Sequence, residues 1–278
     1  MKFFFVLLTL LAFHLNAQTG LTFDKRFVES EDKWVAFSMD KDGMNPFGFI
    51  YIDSEAGLTL QYLGKFSTNQ NGRFVAQKLD TTNVKIRLEA NDVRVAFIPE
   101  NRFAELDIQA IPDWLKFYKM DMGTVKRLYR WGFLYNGWNE CAKGSTFLEK
   151  AQKMDAQFEG LEVELAFSYN CLGQYNKSIS ILENVIKREP TDAYINKELV
   201  FAFVQSKQLD KAVEACQNAL KVCKDKTYNG ENCYNVLHGF HAKKDKKNFN
   251  LWMKEAKKWN SDNSDRLESI EIMAKQLN

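Results

Sequence analysis

Little in this sequence invites an enzyme mechanism. Only three of its residues are histidine, His14, His238 and His241, and between 18 and 112 there is none. That gap excludes nucleophile–histidine machinery from the first half of the chain. No glycine-rich phosphate loop, nucleophile elbow or metalloprotease helix signature occurs anywhere in the sequence. His238 and His241 stand three apart near Cys233, but no carboxylate or further cysteine at ligand spacing completes a metal site. One packed and one solvated histidine is the reading. Charge of one sign is missing too: 38 basic residues face 36 acidic ones, a net +2 that gives no general attraction to nucleic acid or a membrane surface. Every apolar run is too short to make a membrane-spanning helix. The five cysteines are too few, and odd in number, for a dense disulfide framework. Cys216 and Cys223 fall on one predicted helix, roughly 10 Å apart along its axis, too far to bridge. Cys223 with Cys233 across a turn is geometrically possible, while Cys171 and Cys216 read as buried thiols.

What the sequence does have is aromatic residues, 14% of the chain with 22 phenylalanines, which need either large cores or an aromatic surface. It also has a leader. Lys2 is followed by an apolar run from Phe3 to Phe13, broken only by Thr9, and then by Leu15-Asn16-Ala17. These are the charged, apolar and small-residue regions of a secretory signal peptide spanning 1–17. No cysteine follows at 18, so no lipid anchor is expected there. The expectation is an exported protein, periplasmic or secreted, without membrane insertion after cleavage.

The remainder changes period part-way. From about Trp34 to Pro99, short runs such as KWVAFSM, FGFIYID and GLTLQYL alternate apolar and polar residues between turn signals such as Asn71-Gly72. VKIRLEANDVRVAFI reads as a β-hairpin with Val84, Ile86 and Leu88 on one face. Spacing this close leaves no room for crossover helices, which predicts an antiparallel sandwich or small barrel over 18–112. After Pro112 the period is helical to the end, so the fold class is α+β.

Within the helical half one pattern recurs. Gly173-Gln174-Tyr175 opens an amphipathic run that stops at Pro190, and SKQLDKAVEACQNALKVCKD repeats it at an offset of 34. With Gly173 at repeat position 15, Ala166 falls at 8, Tyr169 at 11, Ser178 at 20, Leu182 at 24 and Val185 at 27. Adding 34 gives Val200, Phe203, Ala212, Cys216 and Ala219; subtracting it gives Gly132, Tyr135, Gly144, Leu148 and Ala151. This resembles the tetratricopeptide repeat (TPR), a helix-turn-helix of the same period with small residues where its two helices cross. Lys207 and Lys224 depart from the Gly and Pro usual at positions 15 and 32. The resemblance implies repeats at about 125–158, 159–192 and 193–226, a degenerate fourth at 232–260 with Gly239 at position 8, and a capping helix at 264–277. Together these make a helical solenoid over 113–278. Secreted bacterial proteins that join TPRs to a β domain are similar in organisation.

In that family positions 5, 9 and 12 of each first helix face a concave groove. The resemblance therefore places there Phe133, Phe167 and Phe201 (position 9), Tyr129, Val163 and Lys197 (position 5), and Asn136 and Asn170 (position 12); Phe240 would continue the phenylalanine column in the fourth repeat. Two uses fit such a column: a groove that takes an apolar partner segment, its backbone bonded by the asparagines, or rings covered by the chain itself. The residues the family uses to clamp a terminal carboxylate are replaced by Tyr129 and Phe133, so that activity is not implied. Glu162 and Glu164, two apart on a helix, do not face each other. The lysine-rich stretch 243–247 reads as a solvated turn. The expected function is a non-catalytic scaffold of the bacterial cell envelope that binds a protein or peptide partner, with no cofactor, metal or nucleic acid. The alternative gives the β domain a small ligand or glycan, stacked on Trp34, Tyr51 and Tyr62, or an unrecognised activity, and leaves the repeats to dock or dimerise.

Overall fold

The structure, a computed structural model, describes residues 20–80 and 84–277, so the leader read at 1–17 lies outside the described residues. The chain divides into two compact units, Met1–Met120 and Asp121–Asn278.

In the first unit the alternating runs become β1 (Lys33–Ala36), β2 (Asn45–Asp53), β3 (Gly57–Thr68), β4 (Phe74–Lys78), β5 (Lys85–Arg87) and β6 (Ala96–Phe97). They form one antiparallel sheet in the order β4-β3-β2-β1-β6, with β5 also on β3. It is neither a sandwich nor a closed barrel. The layer over one face is irregular chain instead: Trp114 and Tyr118 lie edge-on to Tyr51 with ring centroids 5.0 and 4.6 Å away, and Trp114 also meets Phe49 at 5.7 Å. Aromatic rings bury so much area each that a short 3-10 turn, Asp113–Tyr118, does the work of a second sheet. This turn belongs to the first unit although it follows Pro112. The hairpin expected from VKIRLEANDVRVAFI does not form. β5 pairs with β3 (Leu60 opposite Ile86) and β6 with β1 (Val35 opposite Phe97), because both longer strands have free edges to offer. Leu88 is buried accordingly, while Ile86 stays exposed.

The second unit is a run of helical hairpins: α1 (Val125–Gly137) with α2 (Cys141–Met154), α3 (Leu161–Cys171) with α4 (Tyr175–Arg188), α5 (Ala193–Gln205) with α6 (Leu209–Val222), α7 (Asn229–Ala242) with α8 (Lys246–Trp259), then α9 (Ser264–Gln276). Each hairpin turns through a residue in the left-handed region: Asn139, Gly173, Lys207 and Lys244. The first three are 34 apart, so Lys207 holds the conformation expected of glycine at position 15. Where the first two helices cross, a Cβ on Gly132 would lie 2.3 Å from Leu148 Cγ, and one on Gly144 would lie 2.4 Å from Asn136 Oδ1. Only glycine permits that approach.

Lys244 follows Lys207 at an interval of 37 instead. The fourth hairpin therefore carries three extra residues ahead of α7, and its register differs from the expected one. Leu237, not Gly239, corresponds to Val200, and both are fully buried. Phe240 joins Tyr135, Tyr169 and Phe203 at the buried position 11 rather than extending the groove column, which His238 continues. The cysteine expectations change as well. Cys141 and Cys171 form a disulfide from the start of α2 to the end of α3, tying the first repeat to the second. Cys171 is thus an exposed, bonded residue, not a buried thiol. Cys216, Cys223 and Cys233 are free and buried, and the Sγ of Cys233 faces Cys216 at 4.0 Å, not Cys223.

Candidate functional site

The residues proposed for the groove separate into three kinds. Phe133 is 46% exposed, and Phe167 and Phe201 are half-buried, Phe201 in a T-shaped contact with Tyr175 at 6.3 Å between ring centroids. Tyr129 and Val163 are half-buried beside Phe133, and all three line one cavity of about 680 Å³. Asn136, Asn170 and Lys197 are committed elsewhere.

The two asparagines are not on the groove surface. Asn136 and Asn170 are 3% and 4% exposed and reach across to the next repeat. The Asn136 amide donates to the backbone oxygen of Glu164 at 3.1 Å and to its Oε1 at 2.8 Å. One repeat on, the Asn170 amide donates to the backbone oxygen of Glu198 at 3.1 Å and to its Oε2 at 2.8 Å. The side chain that faced a partner in the expectation instead satisfies its neighbour's first helix, as a buried amide must. The copies differ at one atom. Ser168 Oγ donates to Asn136 Oδ1 at 2.9 Å, but Ala202 takes the place of Ser168 in the next repeat, and Asn170 Oδ1 is buried without a hydrogen-bond partner.

Lys197 is likewise held by the chain. Its ammonium pairs with Glu198 at 2.5 Å and lies over the rings of Tyr194 at 4.6 Å and Tyr228 at 5.4 Å. A carboxylate and two aromatic faces enclose one cation there.

The cavity is lined by the middle of α1, the N-terminal ends of α3 and α5 and the C-terminal part of α4, with Phe158 and Gly160 from the α2–α3 turn. The Tyr129 ring centroid lies 5.2 Å from that of Phe158 and 6.4 Å from that of Phe133. Tyr194, Glu164 and Asp192 also line the cavity. Arg188 is bound to Glu162, so the one arginine of the lining is already paired. Burial pushes the Glu164 carboxyl up to about 7; the Asn136 hydrogen bond opposes this, the charge of Glu198 adds to it and that of Lys197 opposes it. Burial also raises the Tyr129 and Tyr194 hydroxyls. Glu164, Tyr194 and Phe158 were not among the residues expected here. The one sign of Glu164 in the sequence is its recurrence a repeat later as Glu198, in step with Asn136 and Asn170.

His238 and His241 have ring centroids 6.4 Å apart, and His241 rests 6.1 Å from Phe249. Among the described residues no group of three or more His, Cys, Asp or Glu side chains is placed to hold a metal ion, and no helix is long and apolar enough to cross a membrane. Trp34 and Tyr51 are buried in the first unit, Trp34 donating its ring N–H to Gln109 O at 2.8 Å, so neither is open to a sugar ring; Tyr62 is half-buried.

The second unit is TPR-like. Its left-handed residues at regular spacing and its close crossings at positions 8 and 20 decide this. No known protein family and no curated protein matches the sequence. Two solved structures are similar to it. MamA MSR-1 is 16% identical, over 59% of this chain and 90% of that one, with a TM-score of 0.46. MamA AMB-1 is also 16% identical, over 60% of this chain and 88% of that one, with a TM-score of 0.44.

Proposed function

We propose that this protein is a non-catalytic interaction scaffold of the cell envelope, and that its helical unit docks a segment of a partner protein against Phe133 and the cavity beside it. The observation that carries the reading is Phe133 itself. A phenylalanine nearly half exposed, next to a half-buried tyrosine and a cavity of about 680 Å³, leaves apolar area in water that a partner's side chains would cover. Phe167 and Phe201 extend the contact along the following repeats. Export is proposed from the leader, and the Cys141–Cys171 disulfide suits an oxidising compartment. The alternative use of the β unit for a glycan has lost Trp34 and Tyr51 to the core.

The test is a photo-crosslinking side chain placed at 133 in the source cell, with a second at Leu251, which is 67% exposed on α8. Discrete protein adducts from position 133, absent from 251, are the expected result. The same adducts from both positions, or none from 133, would remove the docking site from this face.

A further inference from the structure

The repeats contain a cation site in two versions, one filled by the chain and one not. In the filled version Lys197, at repeat position 5, lies over Tyr194 and Tyr228 and pairs with the buried Glu198 at position 6. One repeat earlier the carboxylate is kept: Glu164 occupies the position of Glu198, is 8% exposed, and is held by the equivalent asparagine. Aromatic rings surround it too, though not all at equivalent positions: Tyr194 stands where Tyr228 does one repeat on, Gly160 replaces Tyr194, and Tyr129, Phe158 and Phe133 come from the preceding repeat, with Arg130 over the Phe133 ring at 5.7 Å. The ammonium is not kept. Position 5 of this repeat is Val163. The lysine whose charge acts on Glu164, Lys197, is already engaged with Glu198, and Glu164 is still pushed upward by burial.

We propose that the cavity lined by Tyr129, Phe133, Phe158, Glu164 and Tyr194 receives a basic side chain from a partner protein, which completes the carboxylate-and-aromatic enclosure that Lys197 completes for itself one repeat on. This rests on the docking reading above and specifies its chemistry. The charge of the lining fits such an occupant: Glu159, Glu162, Glu189 and Asp192 accompany Glu164, against the single Arg188 that Glu162 already binds. An acidic segment would meet like charge in a partly desolvated space and be rejected. A wholly apolar segment would cover Phe133 but leave the buried carboxylate without a counter-charge. The partner segment is therefore apolar on the Phe133 side with one lysine or arginine reaching Glu164, where aromatic faces and the carboxylate both favour a cation.

The experiment uses residues 18–278 and a random peptide library displayed on phage, selected at pH 8 in moderate salt. Enriched peptides are synthesised with the basic residue intact and with a neutral isostere, norleucine for lysine or citrulline for arginine. Their affinities are measured on the wild type, Glu164→Gln and Phe133→Ser, with circular dichroism confirming the fold of each. The expected result is enrichment of apolar peptides sharing one basic residue, about tenfold or greater loss on its neutralisation, and a similar loss on Glu164→Gln. Glutamine retains an oxygen for the Asn136 bond; should that variant still unfold, Val163→Lys makes the comparison, since an internal ammonium there would displace the peptide's. Peptides that need Phe133 but bind equally without their charge would overturn the cation site and leave the docking reading standing. No enriched peptide, or binding indifferent to both Phe133→Ser and Glu164→Gln, would overturn both.

Discussion

Single side chains decide how this site behaves, and Glu164 is the one whose state changes in an ordinary pH range. Its carboxyl is raised from the usual 4.5 to about 7, chiefly by burial, with Glu198 and Lys197 the charged groups acting on it. A folded-state value above the unfolded one means stability present in full below about 4.5 and lost as pH rises through about 7. Glu164→Gln cannot lose it. Relative to wild type the variant should gain stability between pH 5 and pH 8, on the order of 2 kcal/mol, in urea unfolding at each pH. A gain independent of pH would show that Glu164 is ionised throughout. The asparagine ladder gives a second test. Ala202→Ser restores the hydroxyl that Ser168 provides in the earlier copy and should supply the missing donor to Asn170 Oδ1. An increase of about 1 kcal/mol is expected, with a matching loss for Ser168→Ala. The sequence reading set Asn136 and Asn170 on the groove surface, whereas both are buried against the next repeat, because periodicity does not record how near that repeat lies.

At the scale of elements, the helical hairpins were legible because two constraints coincide: apolar positions recur with the helical period, and small residues recur where helices touch. Where one constraint was absent the reading slipped. Nothing small marks the crossing in the fourth hairpin, where Phe249 takes the place of Ala212, so its register followed Gly239 and missed by two residues. In the β unit, local alternation located the strands but not their partners, which depend on free edges far away in the chain. The disulfide was also invisible, since its cysteines lie 30 residues apart and meet only once α2 and α3 are packed. Loop closure of that length predicts a contribution of about 3.6 kcal/mol. The Cys141→Ala/Cys171→Ala double variant should lose this amount in urea unfolding, and wild type with reductant should match it. Equal stability with and without the bond would make it incidental.

For the whole molecule, the change of period located two units, but the boundary at Met120 rather than Pro112 follows from aromatic burial: Trp114, Leu115 and Tyr118 are claimed by the sheet. Since each unit has its own core, a fragment of residues 121–278 should unfold in one cooperative transition near that of the intact chain. A fragment without cooperative unfolding would show that the β unit is needed for the fold of the repeats. The covalent tie between the first two repeats has a mechanical meaning as well. If the chain is held at its two ends and stretched, force cannot extend the segment enclosed by Cys141 and Cys171. About 100 Å of contour length stays hidden until the bond is reduced. A scaffold under tension would then yield later repeats in full and the first two only in part, with α2 and α3 still tied to each other while α1, which carries Phe133, is free to extend.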